Sequence, residues 1–509
     1  MKYNELKFSK GEIIIFAVIA VLLFFGLIIF SDINMNNLLD SDASNELILA
    51  KYLSEKNELI TKGWQYSTEI RVFYTQFISA LLFKFSDSFH FVRLATLAIC
   101  HILAFISLYL YLQSLKLQKY FLIFVCILLL PFSVIYADYY LLKPYYVFHF
   151  IALCLVLYFI NIKSIILISI LSFILGLSGI RYLTILFFPM VMSKLTVLFD
   201  LKKLEISKKD IVDFARNEMS TFTGCFFYII GLMINLRVFT KIFAFVNVAN
   251  TSFTNFNINT ITQIFNGFLN FFGYSIGKFI LSFPGFALSS ITIVFTIIFV
   301  RYYFKNINQF NDNQRFNIYF VLYAYVTFII TNIVFDHGQY RDRYLMPFSL
   351  FTFVLLFLLT ECINISVKLK KALIYITFII LLFTSLINYY KLSSNVSRDT
   401  INRQLVCNYL LDNDLNYGYA NFWDGGVITE LTNGKVEVWS WDTSNDFDKI
   451  GQKLGWLQYT SHYTTSPSDF TDKYFILVNK SISNLDEFKD KHNLVNLCYE
   501  NDSYLLYLN

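Results

Sequence analysis

Apolar residues fall in eleven runs over the first four-fifths of the chain, at 12–30, 90–112, 120–137, 144–161, 164–180, 182–199, 219–236, 279–300, 316–335, 344–361 and 372–389. Most reach the roughly 18 residues a helix needs to cross a bilayer core. The pattern therefore predicts an α-helical polytopic membrane protein with about eleven transmembrane helices. The first run has no small-residue cleavage site after it, so it reads as a retained helix and not a signal peptide.

Two polar interruptions carry patterns of their own. The loop from Asn34 to Phe85 follows the first run, and loops of that length are more often functional than idle. A helix is predicted from Asp42 to Leu53, with Asp40 and Ser41 placed to cap it. Asp42 and Glu46, four residues apart, would share one face. A second surface helix is predicted to begin near Ser67 or Thr68, because Ile70, Phe73, Phe77, Leu81 and Phe85 recur at helical spacing. The polar stretch 247–276, rich in Asn, Thr and Phe, suggests another interfacial segment.

From Leu392 the apolar runs shorten, and Asp, Asn, Gly and Trp become frequent. Strands are predicted at Tyr417–Phe422, Val427–Leu431, Lys435–Trp439, Lys473–Val478 and Ser503–Leu508, with Asn433-Gly434 as a hairpin turn. Helices are predicted at Phe447–Leu454 and Leu485–Lys491. The chain thus divides into a transmembrane domain, 1–390, whose first external loop is 31–88, and a small α/β domain, 391–509.

Composition agrees with a membrane protein: of 509 residues, 56% are hydrophobic and only 15% charged, with a mean hydropathy of +0.54. A net charge of +5 spread along the chain gives no reason to invoke nucleic acid and is better read as topology. With the N-terminus in the cytoplasm, the clusters around Lys7, Lys119, Lys203 and Lys371 lie inside. The sparse cations Lys143, Arg181, Arg237, Arg341 and Arg343 lie outside, as the positive-inside rule asks. An odd number of spans then puts the first loop and the C-terminal domain outside together. Of seven cysteines, Cys407 and Cys498 lie in the tail, where one disulfide would be compatible but is not demanded.

Candidate chemistry is limited to external carboxylates and scattered external cations. The six histidines are singletons without ligand spacing, and no phosphate loop or serine elbow occurs. No metal site is predicted.

The segment Asp42-Ala43-Ser44-Asn45-Glu46-Leu47-Ile48-Leu49-Ala50-Lys51 resembles the Asp-led opening of the first external loop in GT-C fold glycosyltransferases. The protein O-mannosyltransferases and aminoarabinose transferases belong to that group. A closer likeness is to bacterial GT-C members with an Asp-Ser-Asp…Glu opening, a Trp-x-Tyr-Ser-Thr-Glu segment (here Trp64 to Glu69), and a tail resembling Phe422-Trp423-Asp424. The broader group commonly has Glu after its Asp, whereas Ala43 follows Asp42 here. Both Asp40 and Asp42 stay candidates for the counterpart.

The resemblance implies a bacterial cytoplasmic-membrane enzyme that takes a sugar from a polyprenyl-phosphate donor and passes it to an external glycan or glycolipid. Asp42 would be the general base, Asp40 a second acid or acceptor-orienting group, and Glu46 and Glu69 reserves. For the donor phosphate the candidates are Arg343, in a segment resembling the family's Arg-Tyr-Leu-x-Pro helix start, then Arg181, Lys143 and Arg341. Trp64 and Tyr66 would contact sugar. Relatives of the fold divide over Mg or Mn dependence, so no cofactor is fixed. The rival readings are a transporter or flippase for lipid-linked saccharides and an inactive scaffold. Against transport, ionisable residues are rare within the spans and the two halves show no symmetry.

Overall fold

The computed structural model describes residues 6–67, 70, 72–199, 212, 214, 216–245, 258–274, 279–335, 342–362, 365–394, 398–441, 457–482 and 485–509. The predicted helix Phe447–Leu454, the residues Glu69 and Arg341, and part of the loop 247–276 lie outside these.

The chain enters through α1 (Lys10–Leu38), whose N-terminus closes a capping box: Ser9 Oγ accepts from the Glu12 amide, and Glu12 accepts from the Ser9 amide. After two residues α2 (Ser41–Lys56) begins at Asp40, whose carboxylate caps it by accepting from the Ala43 amide at 2.8 Å. The predicted cap is therefore observed. The predicted second helix starts later than expected: Trp64–Tyr66 is instead a short strand, β1, and α3 covers only Gln76–Leu82. β1 pairs with β2 (Ala244–Phe245) and β5 (Gln458–Tyr459). Those partners are distant in sequence, so local periodicity could not reveal them.

The bundle continues with α4 (Phe89–Ser114), α5 (Phe121–Leu129), α6 (Val134–Leu142), α7 (Val147–Asn161), α8 (Ile165–Leu177), α9 (Leu183–Leu198) and α10 (Met219–Ile242). Then come α11 (Ile258–Phe271), α12 (Phe279–Lys305), α13 (Asp312–Phe335), α14 (Phe351–Cys362) and α15 (Val367–Ser394). Six described helices are long and apolar enough to cross a membrane, or seven if α5 and α6 form one broken span. Four more apolar helices, α7, α8, α9 and α14, fall where spans are predicted but are shorter.

The predicted straight helix 120–137 is not seen. α5 and α6 meet at a bend of 98°, with Pro131 at the break. Proline lacks the amide a helix needs and disfavours helical geometry in the residue before it. Ser133 then caps α6 by accepting from the Tyr136 amide at 3.0 Å. The bend turns α6 back and carries Asp138, Tyr139 and Lys143 toward the start of α2.

The C-terminal region is led by α16 (Arg398–Asp412) and holds a sheet ordered β4-β3-β6-β8-β7. Its strands are β3 (Tyr417–Asn421), β4 (Glu437–Trp441), β6 (Phe475–Asn479), β7 (Asn496–Glu500) and β8 (Tyr504–Leu508), and α18 (Leu485–Lys491) stands where a helix is predicted. The expected strand at Val427–Leu431 is wrong: Phe422–Leu431 is a helix, α17. β3 and β4 run parallel, and parallel neighbours need a crossover, not a hairpin. Asn433-Gly434 does turn the chain, but as the helix's left-handed end: both have positive φ, and the Gly434 amide donates to Thr429 O at 2.7 Å. Cys407 and Cys498 are free thiols, so the compatible disulfide is absent.

Candidate functional site

Asp40 sits where α1 ends and α2 begins, and its carboxylate does more than cap. Lys143 Nζ donates to its Oδ2 at 2.7 Å, and the Tyr145 hydroxyl donates to its Oδ1 at 3.1 Å. The same ammonium reaches Asp138 Oδ1 at 2.7 Å. Lys143 is buried, at the end of α6 and directly before Pro144, which holds it in extended backbone. Burial pushes the Asp40 carboxyl upward. The Lys143 charge, with the bonds from Lys143, Ala43 and Tyr145, outweighs it and leaves the group below its ordinary value.

Beside this pair a small cleft, open to solvent, lies between α2, α3, α4 and the α6–α7 corner. Ala43, Glu46 and Leu47 form one wall; Thr75, Ser79, Arg93 and Thr96 form the second; Lys143, Pro144 and Tyr145 close the third. Thr75 Oγ1 donates to Glu46 Oε2 at 3.4 Å. Asp42 stands half-buried in the first turn of α2, where the helix's positive end favours a carboxylate. The phenol of Tyr145 is raised well above its ordinary value, first by burial, then by Asp40, Glu46 and Asp42. Asp40 bonds Tyr145 directly and Glu46 lines the same cleft, while Asp42 acts on the phenol through its charge.

The cations border an aromatic patch. Arg343 Nη1 donates to the Tyr139 hydroxyl at 3.2 Å, with its guanidinium 5.1 Å from that ring's centre. Tyr139 packs 5.9 Å from Tyr145 and 6.4 Å from Tyr146, and Tyr146 lies 5.4 Å from His149. Arg181 Nη1 donates to His149 Nε2 at 3.1 Å. An arginine can only donate, so Nε2 is the accepting nitrogen and Nδ1 carries the proton that reaches the Tyr182 hydroxyl at 2.9 Å. Gly179, two residues before Arg181, has φ +115°, open only to glycine. Arg343, Lys143 and Arg181 therefore edge one continuous surface of Tyr139, Tyr145, Tyr146 and His149.

Of the residues predicted from sequence, Asp40, Asp42, Glu46, Lys143, Arg181 and Arg343 gather here. Trp64 and Tyr66 depart from expectation. Both are buried in β1; Trp64 meets Tyr459 edge-on at 5.2 Å, and Tyr66 accepts from the Thr61 amide. Burial pushes the Tyr66 phenol to about 12. Neither ring offers an open face to a sugar in this structure. The residues sequence reasoning missed are Asp138, Tyr139, Tyr145, Tyr146, His149 and Arg93. In sequence the tyrosines on either side of Lys143-Pro144 look like an ordinary interfacial aromatic belt, and the lysine in their midst is the one signal against that.

The donor set does not favour a divalent metal. Among the described residues no three of His, Cys, Asp and Glu come together as ligands. Asp40 and Asp138, which meet at Lys143, already share its ammonium.

No protein-family profile matches the chain, and no curated protein matches it in sequence. A solved structure does: ArnT from Cupriavidus metallidurans bound to undecaprenyl phosphate, over 98% of both chains, with a TM-score of 0.50 and 8% identity. The fold is ArnT-like. This is the GT-C architecture that the first-loop residues resemble. At 8% identity the likeness to ArnT is one of fold, so the chemistry has to be argued from the side chains above.

Proposed function

We propose that this protein is an integral-membrane glycosyltransferase that moves a sugar from a polyprenyl-phosphate donor to a glycan or glycolipid outside the cytoplasmic membrane. In this reading the six long helices, the broken α5–α6 pair and the four shorter apolar helices supply eleven membrane segments. The N-terminus is cytoplasmic, and residues 391–509 form an external domain over the cleft. The observation that carries the proposal is the cluster of Asp40, Lys143 and Tyr145 at the start of α2, with Glu46 on the adjoining cleft wall and Arg343 and Arg181 on the neighbouring aromatic side chains. The ArnT structure, bound to undecaprenyl phosphate, supports a polyprenyl phosphate as the ligand class.

The roles are assigned from position and from the contacts each group makes. Asp40 is committed to Lys143, Tyr145 and the Ala43 amide, and its depressed pKa makes it a poor proton acceptor. Its task is to hold Lys143. Asp42 is the base: the acceptor oxygen attacks the anomeric carbon as its proton passes to Asp42. The bond from that carbon to the phosphate oxygen breaks with its electron pair, and the polyprenyl phosphate leaves. Arg343, Lys143 and Arg181 steady the charge that builds on the phosphate, and inversion at the anomeric carbon is expected from one displacement. Glu46, on the cleft wall, orients the acceptor.

The test is transfer of radiolabelled sugar from polyprenyl phosphate in a membrane preparation. Asp42→Asn should lose about 10²–10⁴-fold in rate with donor binding retained. Unchanged transfer in both Asp42→Asn and Asp40→Asn would remove the base from this loop and the proposal with it.

A further inference from the structure

One helix of the C-terminal region touches the catalytic loop at regular intervals. Along α17, Phe422, Gly426, Glu430 and the following Asn433 lie at i, i+4, i+8 and i+11, a single helical face. Each meets α2 or α4. Ser41 Oγ donates to Phe422 O at 2.5 Å. A side chain at Gly426 would meet Asn45 Oδ1 at 2.3 Å, so to admit one the Asn45 amide must move or α2 and α17 must part. Glu430 takes both Arg93 Nε, at 2.6 Å, and Nη2, at 2.5 Å, while that same Nη2 donates to Ala43 O at 3.2 Å. Asn433 Oδ1 accepts from the Phe89 amide at 2.9 Å. On its other side α17 is fixed to its own sheet through buried Asp424, which accepts from Arg403 at 2.8 Å and from Tyr504 at 2.7 Å.

We infer that α17 is a positioning element for the catalytic helix, with Arg93 as its pin: one guanidinium ties Glu430 of the C-terminal region to the Ala43 carbonyl in the first turn of α2. Arg93 lines the cleft, yet its charge is spent on Glu430 in a buried, two-bond pair, so it orients the site and does not grip the donor. The geometry explains why a tail so far along the chain bears on Asp40 and Asp42. It holds the backbone turn that carries both. This inference rests on α2 bearing the base, but the contact itself can be measured without any transfer assay.

Two variants of the full-length protein in detergent or nanodiscs test it. Glu430→Gln removes the charge from the pin, and Gly426→Val wedges α17 from α2 without touching Arg93. Backbone hydrogen exchange at 43–50 should quicken by about tenfold or more in both, with α4 and the C-terminal sheet unchanged. In transfer, kcat should fall by about 10²-fold with KM for the polyprenyl-phosphate donor unmoved, because misplacing a base costs rate and not ground-state binding. Glu430→Asp should recover part of both signals. Exchange at 43–50 identical to wild type in both variants would overturn the inference. So would a raised donor KM with kcat intact, which would make Arg93 a donor ligand. A wild-type chain without transfer would sink the proposed function while leaving exchange to decide this one.

Discussion

The two ends of the membrane bundle use the same residue types in different ways. About 40 Å of α1 separates Glu12 from Asp40. At the Glu12 end acids meet lysines in pairs: Glu12 with Lys371 at 2.7 Å, Glu361 with Lys119 at 2.7 Å, and Glu218 with Lys194 at 2.8 Å. Tyrosine hydroxyls complete the first two, from Tyr375 and Tyr120. These are clasps between helix ends. At the Asp40 end one lysine serves two acids, and the arginines lie against a phenol and an imidazole. There the shared lysine also lines a cleft open to solvent. The difference teaches that charge count alone does not mark a site; what the charges are set against does.

The sharpest way to break this comparison is to remove the shared lysine. Lys143→Met leaves Asp40 and Asp138 facing one another with no cation between them. The two carboxylates are 30% and 25% exposed, so the cost falls below the roughly 3–5 kcal/mol of a fully buried orphaned charge, but the melting temperature should still fall. Transfer should drop by about 10²–10³-fold, the usual cost of one lost electrostatic donor at a developing charge. If melting falls while transfer per folded molecule is unchanged, Lys143 is a clasp like those at the other end. A smaller effect is expected for Arg343→Lys, which keeps the charge but loses the planar fork that can hold a phosphate through two bonds. Donor KM should rise about tenfold with stability nearly unchanged. An unaltered KM would return Arg343 to the role of an interfacial anchor on Tyr139.

What was legible in the sequence follows the range of the interactions. The membrane helices show because burial in lipid writes itself into every residue of a run, and the α2 cap shows because Asp40 and Ala43 are three residues apart. The bend at Pro131 was half legible: the proline was visible, but only packing turns its break through 98°. Arg93–Glu430 was not legible at all, since its partners stand 337 residues apart. Val427–Leu431 misled because β-branched and apolar residues suit a buried helix as well as a strand, and Asn-Gly ends helices as readily as it turns hairpins. Trp64 misled in the other direction: an aromatic in a polar loop suggests a binding face, but here it fills the joint between β1 and Tyr459.

Titration separates the shared carboxylate from an ordinary one. Asp40 has its folded pKa held below the ordinary value of 3.8. Its contribution to stability is therefore complete above that ordinary value and is lost as pH falls through the lower, folded one. Wild type and Asp40→Asn should differ in melting temperature by a constant amount from neutral pH down to about 4, then converge below it. A gap that closes nearer neutrality would mean that Asp40 is not held by Lys143.

The smallest effect belongs to the clasps. In Lys371→Met, Glu12 loses its ammonium but still accepts from the Tyr375 hydroxyl and the Ser9 amide, and both charged side chains were about one-fifth exposed. The loss should be about 1 kcal/mol or less, a melting shift of a few degrees at most, with kcat and donor KM unchanged. Transfer assayed at saturating donor tests this directly, because a clasp some 40 Å from Asp40 has no contact through which to move the base. A fall in kcat here would show that the two ends are mechanically linked through α1, and the contrast between them would lose its force.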